Sequence, residues 1–370
     1  MKHPLALLAF TLITNTTLHA DWLQWRGPNF NGSAPDAKPI IEWGASKNVR
    51  WKLAIPGRGS GTPVIAGDKL FVMTALNTGK KPTGKDPNAT HRQERAPETL
   101  HQFIVMCIDS KTGKKRWQKS VAELVPHSGH HNDHFYASAS PITDGQHVWA
   151  HFGSRGTYCL TMKGELVWKR TDLGLMVLRG SFGDGSSPAL HKDTLVIPWD
   201  TEDGNSYIVA LDKMTGKTRW KNARDQISSW ATPLIIDHGG RSLVIQNGVN
   251  YARAYNLEDG KEVWRAAGQT TRPIPTPVYH EGMVFIGSGH RGSFLGAYKL
   301  DGAKGDITDS AHQAWALDKN TPDVPSPLIS GDRLYFHAGR DGIISCLDAK
   351  TGEPHYKRQR VSGLRQVYSS

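Results

Sequence analysis

The sequence predicts an all-β chain built from one repeated four-stranded antiparallel unit, and three observations carry that prediction. The composition is rich in turn formers and large rings, with 38 glycines, 21 prolines and 12 tryptophans in 370 residues, which suits short strands joined by tight turns. A pattern recurs as CIDSKTGKKRW (107–117), ALDKMTGKTRW (210–220), AYNLEDGKEVW (254–264) and CLDAKTGEPHY (346–356). A second landmark, Ser or Thr before Pro at the head of an apolar run, precedes each unit: GTPVI, ASPIT, SSPAL, ATPLI, PTPVY and PSPLI.

Each unit reads as strand, turn, strand, turn, strand, Asp-x-x-Thr-Gly turn and a last strand carrying an aromatic residue. In the turn, Asp212 can accept backbone N–H bonds and Gly216 can take the positive φ that a short hairpin needs. Trp220 then lies on the outermost strand, placed to pack on the neighbouring unit and to offer it an indole N–H. Trp117, Trp168, Trp264, Trp315 and Tyr356 hold the same position; the turn is one residue shorter at 159–168 and longer at 297–315. One such sheet cannot bury both faces, and stacking copies radially around an axis gives a β-propeller. The landmark prolines are residues 63, 141, 188, 233, 277 and 327, spaced by 78, 47, 45, 44 and 50. The long first gap contains a polar, Pro- and Lys-rich insertion at 76–100, expected to be a mobile loop.

The Ala-x-Asp-x-x-Thr-Gly-x-x-x-Trp unit resembles the pyrroloquinoline quinone (PQQ) type of propeller repeat, found in quinoprotein dehydrogenases and in the propeller subunit of the outer-membrane barrel-assembly machinery. The resemblance spans about residues 50–370 and recurs six times. The opening DWLQWRGPNFNG, followed by NVRWKLAIPGRGSGTP, is similar to secreted PQQ-like propeller proteins. The resemblance implies eight blades, with one blade usually assembled from both chain ends. Trp51 in NVRWK matches Trp220 in KTRWK, so 48–55 is expected to form an outer strand. Ser370 follows Ser326 by one period, so QVYSS is expected to open a seventh blade. On that expectation the six complete blades belong to a C-terminally truncated ring, a fragment that continues for roughly 60 to 75 residues.

Residues 1–20 read as a secretory signal, with a basic Lys2, an apolar run from Leu5 and a small residue at Ala20. The expected organisation is then an N-terminal extension over 21–47 and a propeller over 48–370, periplasmic or secreted and monomeric. No later apolar run is long enough for a transmembrane helix. Formal charge is +11, dispersed along the chain, so an envelope protein or an anionic envelope polymer is the expected partner and nucleic acid is not.

Candidate sites follow from residue chemistry. In HSGHHNDHFYASASP, His127, His130, His131 and His134 flank Asp133 just before an inner strand, an imidazole and carboxylate density that can bind Zn²⁺ or Cu²⁺ but also suits an exposed polar loop. Asp184, Asp200, Glu202 and Asp203 offer a Ca²⁺ donor set, although acidic turns between strands are mostly solvated hairpins. Arg155, Arg179 and Arg291, each before Gly, can present guanidinium groups to an anion near the channel. Cys107, Cys159 and Cys346 occupy the small position of three separate units, too far apart for disulfides.

The best-supported role is an exported, non-catalytic ligand- or protein-binding scaffold. The alternative is a PQQ- and Ca²⁺-dependent quinoprotein oxidoreductase acting on alcohols or sugars. The resemblance implies that such enzymes hold the quinone over a Trp and against a disulfide of adjacent cysteines, and no Cys-Cys pair occurs here, although some sugar-oxidising quinoproteins also lack it.

Overall fold

The turn chemistry of each repeat folds locally into an antiparallel meander, and a computed structural model shows six of them. The structure describes residues 21–84, 92–339, 342–365 and 367–368; the signal segment 1–20 and the Ser369–Ser370 end lie outside them. The first blade is β1 (Val64–Ala66), β2 (Lys69–Asn77), β3 (His101–Asp109) and β4 (Lys115–Leu124). The second is β5 (Ile142–Thr143), β6 (His147–His151), β7 (Thr157–Thr161) and β8 (Leu166–Arg170), and the third is β9 (Ala189–His191), β10 (Thr194–Trp199), β11 (Tyr207–Asp212) and β12 (Thr218–Ala223). The fourth comprises β13 (Leu234–His238), β14 (Arg241–Gln246), β15 (Asn250–Asn256) and β16 (Glu262–Gln269). The fifth is β17 (Val278–His280), β18 (Met283–Ser288), β19 (Phe294–Lys299) and β21 (Gln313–Leu317), and the sixth is β22 (Leu328–Ser330), β23 (Arg333–His337), β24 (Ile343–Asp348) and β25 (Pro354–Arg360). The short β20 (Gly305–Asp306) pairs in parallel with β16 as a fifth strand of the fourth sheet. Inner strands of neighbouring blades touch at β1–β5, β9–β13 and β17–β22. No helix among the described residues is long and apolar enough to cross a membrane.

The register explains the repeat letters. In every blade the small residue of the third strand faces the aromatic residue of the fourth: Cys107 faces Trp117, Cys159 Trp168, Ala210 Trp220, Ala254 Trp264, Ala297 Trp315 and Cys346 Tyr356. A β-bulge follows the small residue each time, turning the ring out of the ladder. The ring then docks on the turn between the third and fourth strands of the next blade. Trp117 Nε1 donates to Met162 O at 3.0 Å, Trp168 to Lys213 O at 2.8 Å, Trp220 to Leu257 O at 2.8 Å and Trp315 to Ala349 O at 2.9 Å. Gly216, at φ +69°, lies under Trp168, and any Cβ there would stand 2.8 Å from the indole. The turn therefore needs Gly for its dihedral and for the close approach.

Trp264 departs from this scheme. The longer turn after β19 folds back over it, β20 pairing Gly305 with Trp264 while Ile307 N donates to Arg265 O. Trp264 is fully buried with Tyr298, Leu300, Ala303 and Ile307 in one cluster. Its Nε1 has no hydrogen-bond partner among the described residues.

Two expectations are corrected. Residues 48–55 form no ladder, yet Trp51 donates to Ser110 O at 3.0 Å and covers Gly113, so it docks on the first blade without a strand of its own. Residues 92–100 of the insertion are bonded to the body: Gln93 N donates to His127 O, and Gln93 Nε2 to Met176 O at 2.7 Å. Residues 21–33 of the N-terminal extension pack on the blades. Trp22 pairs with Ile65, Thr143 N donates to Leu23 O, and Phe30 packs on the core between the fourth and fifth blades. The segment crosses the lumen.

Candidate functional site

The Ser/Thr-Pro landmarks build the site. Thr62 N donates to Ser140 Oγ at 2.9 Å, Ser140 N to Ser187 Oγ at 2.9 Å, and Ser187 N to Thr232 Oγ1 at 3.0 Å. Thr232 N then donates to Thr276 Oγ1 at 3.1 Å, and Thr276 N to Ser326 Oγ at 3.0 Å. Each of the first five blades thus hands one backbone N–H to the hydroxyl of the next, forming a hydrogen-bonded belt along the lumen. A short hydroxyl side chain can accept there, and the following Pro loses nothing because it has no N–H to place.

Above the belt is a cavity of about 560 Å³, within the range of small-ligand sites. Trp25 of the N-terminal segment lies at its lining, with Phe182, Trp230, Ile274, Val324 and Tyr368 supplying apolar wall. Trp230 is held by its indole N–H to Gly183 O at 2.8 Å. Charged and titratable groups at the lining are His131, Asp133, His134, Arg272, His290 and Asp323.

The histidine-rich loop divides between cavity and scaffold. His127 is buried and its Nε2 is 2.9 Å from Met176 O; His130 bonds His131 O and packs edge-on against Tyr136. His131 and His134 stack at 6.1 Å, His131 Nδ1 lies 3.4 Å from Asp133 Oδ2, and His134 Nδ1 shares a 2.7 Å hydrogen bond with Ser138 Oγ. Burial pushes the His134 imidazole down to about 4. These ligand atoms do not converge as a cation site. Among the described residues such convergence occurs only for His280, Glu281 and Asp332, on the hairpin turns at the opposite ends of the inner strands.

The acidic set is dispersed and largely neutralised. Asp184 is ion-paired with Arg155, whose Nη2 also reaches Ser128 Oγ. Asp200 takes Arg224 Nε at 2.8 Å and Ser229 Oγ at 2.5 Å, with both charged side chains essentially inaccessible. Glu202 accepts from Ser228 Oγ at 2.7 Å and Asp203 from Asn205 N at 3.1 Å. A buried carboxylate is paired before any Ca²⁺ arrives, because an uncompensated charge is too costly to bury. Arg155 is likewise consumed internally and does not serve as a free channel cation.

The remaining arginines behave differently. Arg179 and Arg291 are exposed on rim loops. Arg272 lines the cavity, and its buried Nε has no hydrogen-bond partner among the described residues. Burial, then Arg179 and Arg291, lower the pKa of Arg272, with Glu202 opposing them. Arg272 and Arg291 both adopt left-handed backbone, at φ +56° and +52°, a strained conformation for a side chain of this size. Arg272 sits in TTRPIPTP, just before an inner strand, and that position in the repeat was its available sequence signal.

His151 at the end of β6 is a buried titratable group that does not line this cavity. Its Nδ1 is 2.8 Å from Thr157 Oγ1, and burial pushes its pKa down to about 4, with Asp184 opposing and Arg155 reinforcing the shift. A lowered histidine pKa means stability present above the unfolded value of about 6.5 and lost as pH falls toward 4, up to about 3 kcal/mol. Urea unfolding at pH 7.5 and 4.5 measures the loss together with the parallel one from His134, whose imidazole is also lowered to about 4, so His151→Gln should abolish about half of the total difference. An unchanged pH dependence in the variant would assign it to other groups.

Comparison with known proteins places this architecture. A stretch of 118 residues is 30% identical to the outer membrane protein assembly factor BamB of Francisella tularensis subsp. tularensis, covering 28% of this chain and 23% of that protein. The chain therefore matches about a quarter of the length of that relative. Among solved structures, BamB from Moraxella catarrhalis superposes with a TM-score of 0.51 at 17% identity, covering 85% of this chain and 90% of the other. A europium-containing methanol dehydrogenase superposes at 0.56 and 11% identity, covering 95% and 86%; both likenesses are of fold. With its family model matched over 34–222 and again over 204–365, the chain belongs to the family described as outer membrane protein assembly factor BamB.

Proposed function

We propose that this chain is a non-catalytic binding scaffold of the periplasmic envelope, whose rim arginines receive an acidic segment of a partner protein. The carrying observation is Arg272 at the cavity wall, whose Nε has no hydrogen-bond partner among the described residues and which feels the charges of Arg179 and Arg291 with only Glu202 opposing them. An anion relieves that repulsion and fills the open donor. Family membership supports an assembly-factor role, with outer-membrane assembly proteins as the class of partner, and the net charge of +11 favours encounter with acidic surfaces.

The quinoprotein alternative needs PQQ and Ca²⁺, and the residues present do not fit them. Asp200 and Asp184 face buried arginines, and the cysteines are free, buried and in separate blades. Burial pushes the Cys107 and Cys159 thiols up to about 11 and about 12.

The experiment is fluorescence titration with a labelled Glu-rich peptide as the probe, in parallel with PQQ plus Ca²⁺. Binding of the peptide should weaken with salt, and Arg272→Ala should raise its Kd about tenfold or more, as expected for a lost charge-assisted bond. Equal affinity in an R179A/R272A/R291A variant would overturn the site. Thermal stabilisation by PQQ with Ca²⁺, accompanied by alcohol or sugar oxidation, would overturn the scaffold reading.

A further inference from the structure

At the end of the inner strands away from the arginine rim, one contact between neighbouring blades occurs twice, and one copy leaves its carboxylates without a cation. In the third blade His191 closes β9, and its Nε2 lies 3.1 Å from Asp237 Oδ1 on β13 of the fourth blade. The turn residue that follows, Lys192, adopts left-handed backbone at φ +52° and sets its Nζ 3.5 Å from the same Asp237 oxygen. In the fifth blade His280 holds the same register, pairing with the first residue of β18 as His191 pairs with the first residue of β10. Its Nε2 lies 3.2 Å from Asp332 Oδ1, in the β22–β23 turn of the sixth blade. The turn residue that follows is again left-handed, at φ +44°, but it is Glu281.

Glu281 therefore brings a second carboxylate to the place where its counterpart brings an ammonium group. One ligand atom from each of His280, Glu281 and Asp332 lies within 4.8 Å of the other two. Among the described residues, His280 is the only basic side chain within salt-bridge distance of either carboxylate. Two carboxylates at this spacing repel one another, and a cation placed among them removes the repulsion. The donor set selects which cation. Imidazole nitrogen with carboxylate oxygens suits Zn²⁺, which binds three protein ligands and a water at about 2.0–2.2 Å. Ca²⁺ takes about six to eight oxygens and Mg²⁺ a near-ideal octahedron, more than two carboxylates supply. His280 is half-buried at its strand end, and the exposed Glu281 and Asp332 have room to close on an ion.

We propose that His280, Glu281 and Asp332 bind one Zn²⁺-type divalent ion, which clamps the fifth blade to the sixth as Lys192 joins the third to the fourth. The two blades touch at β17 and β22, and each contributes ligands. The ion therefore binds the folded chain and stabilises it by mass action. The site lies at the other end of the strands from Arg272 and does not depend on what fills the cavity.

The test is a Zn²⁺ titration of the full chain, stripped of metal by chelation, read by competition with a chromophoric chelator and by thermal unfolding. One Zn²⁺ should bind at this site, and above its dissociation constant Tm should rise by about 2 °C for each tenfold increase in free Zn²⁺. Mg²⁺ at the same concentrations should leave Tm unchanged. Glu281→Lys installs the third blade's residue in the backbone conformation it already adopts there, so the variant should fold; it should weaken Zn²⁺ binding by about tenfold or more and flatten the Tm response. No Zn²⁺ response in the wild type, or an equal affinity and slope in Glu281→Lys, overturns the proposal. So does a response abolished by His131→Gln with His134→Gln, which would place the ion in the cavity. If Glu281→Lys does not fold, Asp332→Asn on the neighbouring turn replaces it, with the same expected loss and the same overturning result.

Discussion

Asp200→Ala should destabilise the chain by about 3–5 kcal/mol, the loss expected when one partner of a buried ion pair is removed and the other stays buried. Arg224 is then stranded: its side chain is inaccessible, and among the described residues it has beyond Asp200 only the Tyr255 hydroxyl at 2.8 Å and a long contact to Asn247 O. Ser229 Oγ loses its acceptor as well. The double variant Asp200→Leu with Arg224→Met should recover most of the loss, because an apolar pair of similar volume needs no desolvation. Arg116→Ala, which breaks surface contacts to Asp68 and Asp109, should cost under about 1 kcal/mol. Urea midpoints at constant m-value measure all three. A loss for Asp200→Ala no larger than that for Arg116→Ala would show that water reaches the pair.

Trp264→Ala should cost a similar amount, about 3–5 kcal/mol, through the cavity it leaves in a fully packed site. The indole is completely buried between β16 and the folded-back turn that carries β20. Trp117→Ala and Trp168→Ala should cost less, since those residues are only partly buried where they dock. Phenylalanine substitutions separate ring from N–H. Trp264→Phe forfeits no hydrogen bond, whereas Trp220→Phe also forfeits the bond to Leu257 O, worth about 1 kcal/mol. Equal losses for the two Phe variants would mean that the docking hydrogen bonds contribute nothing net.

The repeat was legible because each of its letters answers a local or nearest-neighbour demand. Asp212 accepts the Met214 and Thr215 N–H groups at 3.1 and 2.9 Å, Gly216 takes the positive φ, Ala210 leaves room for Trp220, and these needs recur in each blade. The Ser/Thr-Pro landmark was equally visible, but its purpose was not. A hydroxyl that accepts an N–H from the preceding blade looks in sequence like any residue that opens a strand. The candidate site was less legible. The acidic residues at 184, 200, 202 and 203 suggested a metal by density alone, whereas partners distant in sequence, Arg155 and Arg224, claim Asp184 and Asp200. Arg272 lacked the following Gly that marked Arg155, Arg179 and Arg291, and it proved to be the arginine at the cavity wall.

By itself the sequence determined the blade, its turns and its docking aromatics, and hence an all-β propeller, because those interactions repeat with the period of the chain and leave a periodic trace. Only the tertiary structure decided what occupies the axis. Residues 21–33 occur once, so no repeat announces that Trp25 lines the cavity or that Arg26 reaches Pro327. Their positions follow from burial and hydrogen bonding across the lumen, where groups far apart in sequence compete for the same few partners.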